Sequence, residues 1–87
     1  MITAEFLYPD NGYPSDVECA KQHGLQQGGS YEVRTFRVGQ SRSAVYLCGY
    51  NPGFNTVQFK FYEDGNPLDP CRDERFSPYM MKNRRKT

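Results

Sequence analysis

Apolar and polar positions alternate through three successive runs of the chain, residues 30–38, 44–50 and 56–62, each rich in β-branched and aromatic residues and bounded by Gly, Pro, Asn or Ser. The block 28–62 that holds them reads as a small β-meander. In the first run Tyr31 and Val33 are apolar at odd positions, but Phe36 and Val38 at even ones, so the strand is expected to slip phase at a bulge or bend near Thr35. The other two runs keep their phase. They place Val45 and Leu47, then Val57, Phe59 and Phe61, on the core side, with Arg42, Gln58 and Lys60 looking outward. Cys48 falls within a strand and reads as a small core residue.

Residues 2–8 form a further strand-like run, ended by the turn sequence Pro9-Asp10-Asn11-Gly12. A short helix follows. Ser15 with Glu18 makes a capping box after Pro14, Asp16 and Glu18 suit the positive end of the helix dipole, and His23-Gly24 closes it. At barely two turns it must dock on the sheet to be stable, through Val17, Ala20 and Cys19, with Leu25 packing just past its end. Asn51-Pro52-Gly53-Phe54-Asn55 reads as a loop, with Phe54 either exposed or plugging the open end of a barrel. After the turn Glu63-Asp64-Gly65-Asn66-Pro67, residues 73–76 amount to one helical turn, and Phe76, Pro78 and Tyr79 read as a clasp against the sheet. The stretch 82–87 has no apolar anchor and is expected to be a disordered basic tail, which leaves residues 1–81 as one domain.

The chain of 87 residues is 37% hydrophobic and 15% aromatic, enough for one modest core built mainly from aromatic rings. No apolar run approaches membrane-span length, and the N-terminus lacks the basic flank and apolar stretch of a signal peptide, so the expected location is the cytoplasm. Cys19, Cys48 and Cys71 are an odd number without regular spacing, which argues for reduced thiols rather than a disulfide framework. Cys19 and His23 have helical spacing suited to a metal, but no Cys-x-x-Cys completes a zinc site, and no metal or cofactor is expected. Charge is segregated: residues 1–33 carry one Lys against five acids, residues 34–62 carry Arg34, Arg37, Arg42 and Lys60 with no acid, and residues 63–75 carry five acids against two Arg. The acidic flanks are expected to neutralise the basic strands in part, and what survives is a positive face for a partner.

Gly28-Gly29-Ser30-Tyr31-Glu32-Val33, then Val38-Gly39-Gln40-Ser41 before Val45-Tyr46-Leu47, then Phe54-Asn55-Thr56-Val57-Gln58-Phe59, resemble a family of small proteins from bacteria and their phages. Thr56 replaces that family's usual Ser, and Lys60 stands where an acid often follows the last Phe. The resemblance spans roughly residues 13–62. It implies a mainly β (α+β) fold, a small SH3-like antiparallel barrel of about five strands with one short helix between the first two, and it brings no active site with it.

Catalytic groupings are not visible in the sequence. His23 sits at a helix end, where capping is its expected role, and Gly24, Gly28 and Gly29 follow the helix rather than precede it, so they form no phosphate cradle. A non-enzymatic binding module is therefore the expected class, with Arg34, Arg37, Arg42, Tyr46, Tyr50, Phe54, Lys60 and Tyr62 as its contact residues. Two readings follow. In one, the protein is a small phage-type adaptor or inhibitor of a larger protein, of the anti-defence kind such as an anti-CRISPR factor, acting as a monomer or as a homodimer through barrel edges. In the other, the same arginines and tyrosines are a platform for single-stranded nucleic acid.

Overall fold

A computed structural model of the chain describes residues 1–77, so the expected contacts of Pro78 and Tyr79 and the tail 82–87 lie outside the described residues. The strands are β1 (Ile2–Phe6), β2 (Ser30–Arg37), β3 (Ala44–Leu47), β4 (Gly53–Asn55), β5 (Phe59–Glu63) and β6 (Asn66–Leu68). They form one antiparallel six-stranded sheet in the order β4-β3-β2-β1-β5-β6, with helix α1 (Pro14–Gln22) between β1 and β2. The mainly β class is as expected, but the closed barrel is not formed: β4 and β6 are sheet edges, with no ladder between them among the described residues. Two short strands exceed the sequence reading, because residues 53–55, read as a loop, pair with β3, and residues 66–68, read as the end of a turn and the residue after it, pair with β5. Among the described residues no helix is long and apolar enough to cross a membrane.

The sheet is open but strongly curled. β4 and β5 stand four strand spacings apart in the sheet order, about 19 Å if the sheet were flat. The chain joins them through only Thr56–Gln58, a single turn of 3-10 helix, which rises about 6 Å. Only a coiled sheet brings those two strands within reach, and the rings of Phe54 and Phe59 meet across the fold at 6.4 Å. The coil is made in β2, whose register shifts between Val33 and Thr35 as expected, so Tyr31 and Val33 before the bulge and Phe36 after it all pack on the core. Its first half pairs with β1 and its second with β3.

The core is aromatic. Phe6 and Phe59 lie 5.2 Å apart, Phe36 and Phe61 5.0 Å, and Tyr50 and Phe54 5.9 Å, each within the range of favourable edge or tilted ring contacts. Val45, Leu47, Phe59 and Phe61 are buried as expected, whereas Val57 is 49% exposed and Gln58 is 0% exposed, the reverse of the expectation. The 3-10 turn is the reason, since it breaks the alternation before β5 begins at Phe59. Gln58 is held by its Nε2, which donates to the Pro9 carbonyl at 3.1 Å, while its Oε1 is buried with no partner. Cys48 also departs from its expected core place: it is exposed, just beyond the end of β3. Ala20 and Leu25 anchor the helix as expected, with Val17 and Cys19 only partly buried.

Phe59→Ala is expected to lower stability to urea by about 3–5 kcal/mol, and Val57→Ala to change it by no more than about 0.5 kcal/mol. Comparable losses for the two would contradict the 3-10 turn.

Candidate functional site

The helix cap lies two residues earlier than expected, at Tyr13 rather than Ser15. Tyr13 is the N-cap residue, Pro14 takes the first helical position, where its missing N–H costs nothing, and Asp16 rather than Glu18 closes the cap by accepting the Tyr13 N–H at 2.8 Å. Asp16 is only 5% exposed. A buried carboxylate must be paired, and this one also accepts from the Asn55 amide at 3.0 Å and from the Arg42 guanidinium. The positive end of the helix dipole adds to its stabilisation. One side chain thus ties the start of α1, the β2–β3 loop and edge strand β4 together.

Gly12 makes the approach possible. Its φ of +91° is a left-handed backbone that other residues rarely adopt, and a Cβ there would stand 2.9 Å from Asp16 Oδ2. Beyond the pivot a cleft of about 740 Å³ opens between the 11–13 turn, the β2–β3 loop and the 3-10 turn, with Tyr13, Arg42 and Val57 among its lining residues. Arg42 stacks 5.4 Å from the centre of the Tyr13 ring. Cys71 and Ser77 close the far side, where the Cys71 thiol faces Ser43 Oγ at 3.7 Å.

The segment that carries Cys71 and Ser77 is latched to the sheet. Arg75 donates to both oxygens of Glu63, at 3.0 and 2.7 Å, and to both of Asp73, and its guanidinium lies 5.1 Å from the Phe76 ring, which packs on Phe36 at 5.0 Å. Phe76 therefore serves as the expected clasp. Hydrogen bonds from Arg75 hold the Glu63 and Asp73 carboxyls below their ordinary values, and the two carboxylates raise the guanidinium in turn. The acidic flank is consequently neutralised by its own arginine, and the basic strands gain less from it than their composition suggests.

The contact residues read from the sequence separate into four groups. Arg34, Arg37 and Tyr46 lie together on β2 and β3, with Arg34 5.7 Å from the Tyr46 ring centre. Lys60 and Tyr62 lie on β5 beside Glu5, which is the register partner of Lys60 and accepts the Tyr62 hydroxyl at 3.4 Å. Arg42 belongs to the cleft, where it faces outward as expected and is paired with Asp16 of the acidic amino-terminal flank. Phe54 is 2% exposed, so it is a core ring and not a contact residue, and Tyr50 packs against it and Tyr31. The alternation of β4 turns Phe54 inward beside Val45, its register partner.

Other side chains at the site are absent from that reading. Tyr13 and Val57 are exposed and line the cleft, and Asn11 ties Val57 to the exposed Tyr8 nearby, its amide donating to the Val57 carbonyl and its N–H to the Tyr8 carbonyl. The available signal was two aromatic residues each followed by proline, Tyr8-Pro9 and Tyr13-Pro14, at the two ends of one turn. His23 Nδ1 lies 2.9 Å from the Cys19 carbonyl, an end-of-helix contact, and among the described residues no three His, Cys, Asp or Glu gather as a metal site would require.

The family model described as bacteriophage T4 protein Y07B matches residues 1–82. No curated protein and no solved structure matches the chain. The family match agrees with the resemblance to small phage proteins.

Asp16→Ala should cost about 2–3 kcal/mol in chemical denaturation, because it strands the Asn55 amide and the Tyr13 N–H. Arg42→Ala should cost about 1 kcal/mol, since the guanidinium is half exposed. A larger loss for Arg42→Ala would sink the assignment of Asp16 as the pivot. The latch carries a pH dependence as well. A carboxyl depressed in the fold stabilises it above its unfolded value and loses that contribution as pH falls through the folded value. Starting from ordinary values of 4.5 for Glu63 and 3.8 for Asp73, the Tm advantage of the parent over Arg75→Gln should be full near neutral pH and shrink progressively on acidification below about pH 4.5. A constant difference down to about pH 2 would show that Arg75 acts through packing alone.

Proposed function

The chain belongs to the bacteriophage T4 protein Y07B family, and from that premise we propose that it is a non-enzymatic module that binds a larger protein through the cleft beside α1. One observation carries this reading. Of the four large apolar side chains exposed among the described residues, Met1, Tyr8, Tyr13 and Val57, two, Tyr13 and Val57, line this one cleft. Clustered exposed apolar groups with a polar rim mark interaction surfaces, and tyrosine beside arginine is a frequent energetic anchor. Arg42 is held in place by Asp16 and stacked on Tyr13, so it meets a partner with little further loss of side-chain freedom.

The finer reading of the fold is an SH3-like barrel left open along one seam. It is supported by a second strand shared between two sheet halves and by a 3-10 turn joining β4 to β5. The cleft then lies between the two loops that flank that turn, where an extended segment of a partner fits. The role proposed for so small a phage-family module is inhibition in the host cytoplasm by occupying a partner's surface, an anti-defence task such as an anti-CRISPR protein performs.

A photo-crosslinking residue placed at Tyr13 or Val57 should give one dominant protein adduct in phage-infected cells, and the same residue at Cys48 or Asn66 should not. Unlabelled parent protein should compete the adduct away, and a folded Tyr13→Ala/Val57→Asp variant should compete about tenfold less well. Equal adducts from all four positions, or undiminished competition by the double variant, would remove the cleft from the proposal.

A further inference from the structure

We infer that a second surface, the outer side of β2, β3 and β4 beyond the bulge, binds single-stranded nucleic acid. Register defines the face. The cross-strand row Phe36, Val45, Phe54 points into the core, so the neighbouring row Thr35, Tyr46, Gly53 points out, with Arg37 beside Ala44 in the next row. None of Arg34, Arg37 and Tyr46 lines the cleft.

The Tyr46 ring lies down on β4. A Cβ on Gly53 would stand 3.0 Å from two of its ring carbons, tighter than an ordinary contact, so glycine gives the ring room there. The Arg34 guanidinium sits 5.7 Å from the ring centre. Arg34 and Arg37 are both exposed, and neither makes an ion pair among the described residues. No acid occurs between residues 34 and 62, and of the acids that follow, Glu63 and Asp73 are engaged with Arg75, Asp69 with Arg72 and Asp64 with the N-terminus.

A guanidinium held over an aromatic ring, with a second one further along the same strand, suits a base that stacks on this pair with phosphates beside it, and stacking of this kind tolerates any sequence. Arg37 lies three residues along from Arg34, about 10 Å on an extended strand, so a chain that stacks a base at Tyr46 passes both cations. An acidic protein segment would gain from the charges but not from the ring. That difference favours nucleic acid, and it also provides the test.

Fluorescence anisotropy with a labelled oligothymidylate of about twelve nucleotides, at two salt concentrations, measures the binding. The parent protein should bind, and more weakly at high salt. Arg34→Ala and Arg37→Ala should each lower the logarithmic salt slope by about 0.7. Tyr46→Ala should weaken binding about tenfold with the salt slope unchanged, and Tyr46→Phe should restore it. Tyr13→Ala/Val57→Asp should bind the oligonucleotide like the parent, which separates this surface from the cleft. Failure of the parent to bind, binding indifferent to all three positions, or displacement by polyglutamate as effective as by unlabelled oligonucleotide would overturn the inference, the last in favour of an acidic protein partner.

Discussion

The short link between β4 and β5 governs the rest of the molecule. Thr56–Gln58 must carry the chain between strands that three others separate in the sheet, and a single 3-10 turn cannot span a flat sheet. The sheet therefore coils, and the coil gathers Phe54, Phe59, Phe61 and Phe6 into one cluster of rings. It also fixes the turn itself: the Asn55 side chain caps it by accepting the Val57 N–H, Gln58 is drawn inside with its backbone carbonyl accepting both Leu7 and Tyr8, and Val57 is forced out. The same constraint that closes the core thus places an apolar side chain in solvent at the cleft mouth.

Coiling alone would leave the start of α1 and the β2–β3 loop unattached. Asp16 supplies the attachment, because a carboxylate with so little exposure needs donors on both oxygens, and Tyr13, Asn55 and Arg42 supply them. The cost of burying it is met by the helix dipole, an amide and a cation, and the return is a fixed geometry on one wall of the cleft. Arg42 then faces two ways, inward to Asp16 and outward across the Tyr13 ring. A contact surface built on this pair is rigid by construction from the core outward.

Local patterns in the sequence were sufficient for the parts of the fold that local chemistry decides. The odd-to-even change between Val33 and Phe36 located the bulge, and Pro14 with His23-Gly24 bracketed the helix. Strict alternation failed at Val57 and Gln58 because a period of two assumes an extended chain, and nothing within 56–58 distinguishes one 3-10 turn from the start of a strand. The site was less legible still. Asp16 is 26 residues from Arg42 and 39 from Asn55, so their meeting depends on strand order, which alternation does not encode. Of the eight contact residues expected, Arg34, Arg37 and Tyr46 do share a face, because strand neighbours in one meander are also neighbours in space. Lys60 and Tyr62 were grouped with them by composition alone, and the fold sets them on β5 next to Glu5.

Charge segregation acquires a different meaning once the partners are known. A basic meander between acidic flanks suggests mutual neutralisation, yet within the acidic flank after β5, Glu63 and Asp73 share Arg75 and Asp69 lies against Arg72, so its charge is largely satisfied within its own segment. Of the amino-terminal acids, Asp16 takes Arg42 and Glu5 lies beside Lys60, which leaves Arg34 and Arg37 without an ion pair among the described residues. The two guanidinium groups are spaced about 10 Å apart along β2, and the one over the Tyr46 ring makes its contact on the outer side of the sheet rather than within the core. Arg34 thus packs on Tyr46 at the outer side of the sheet while both guanidinium groups stay exposed, and it is on this uncompensated charge that the proposed nucleic-acid surface rests.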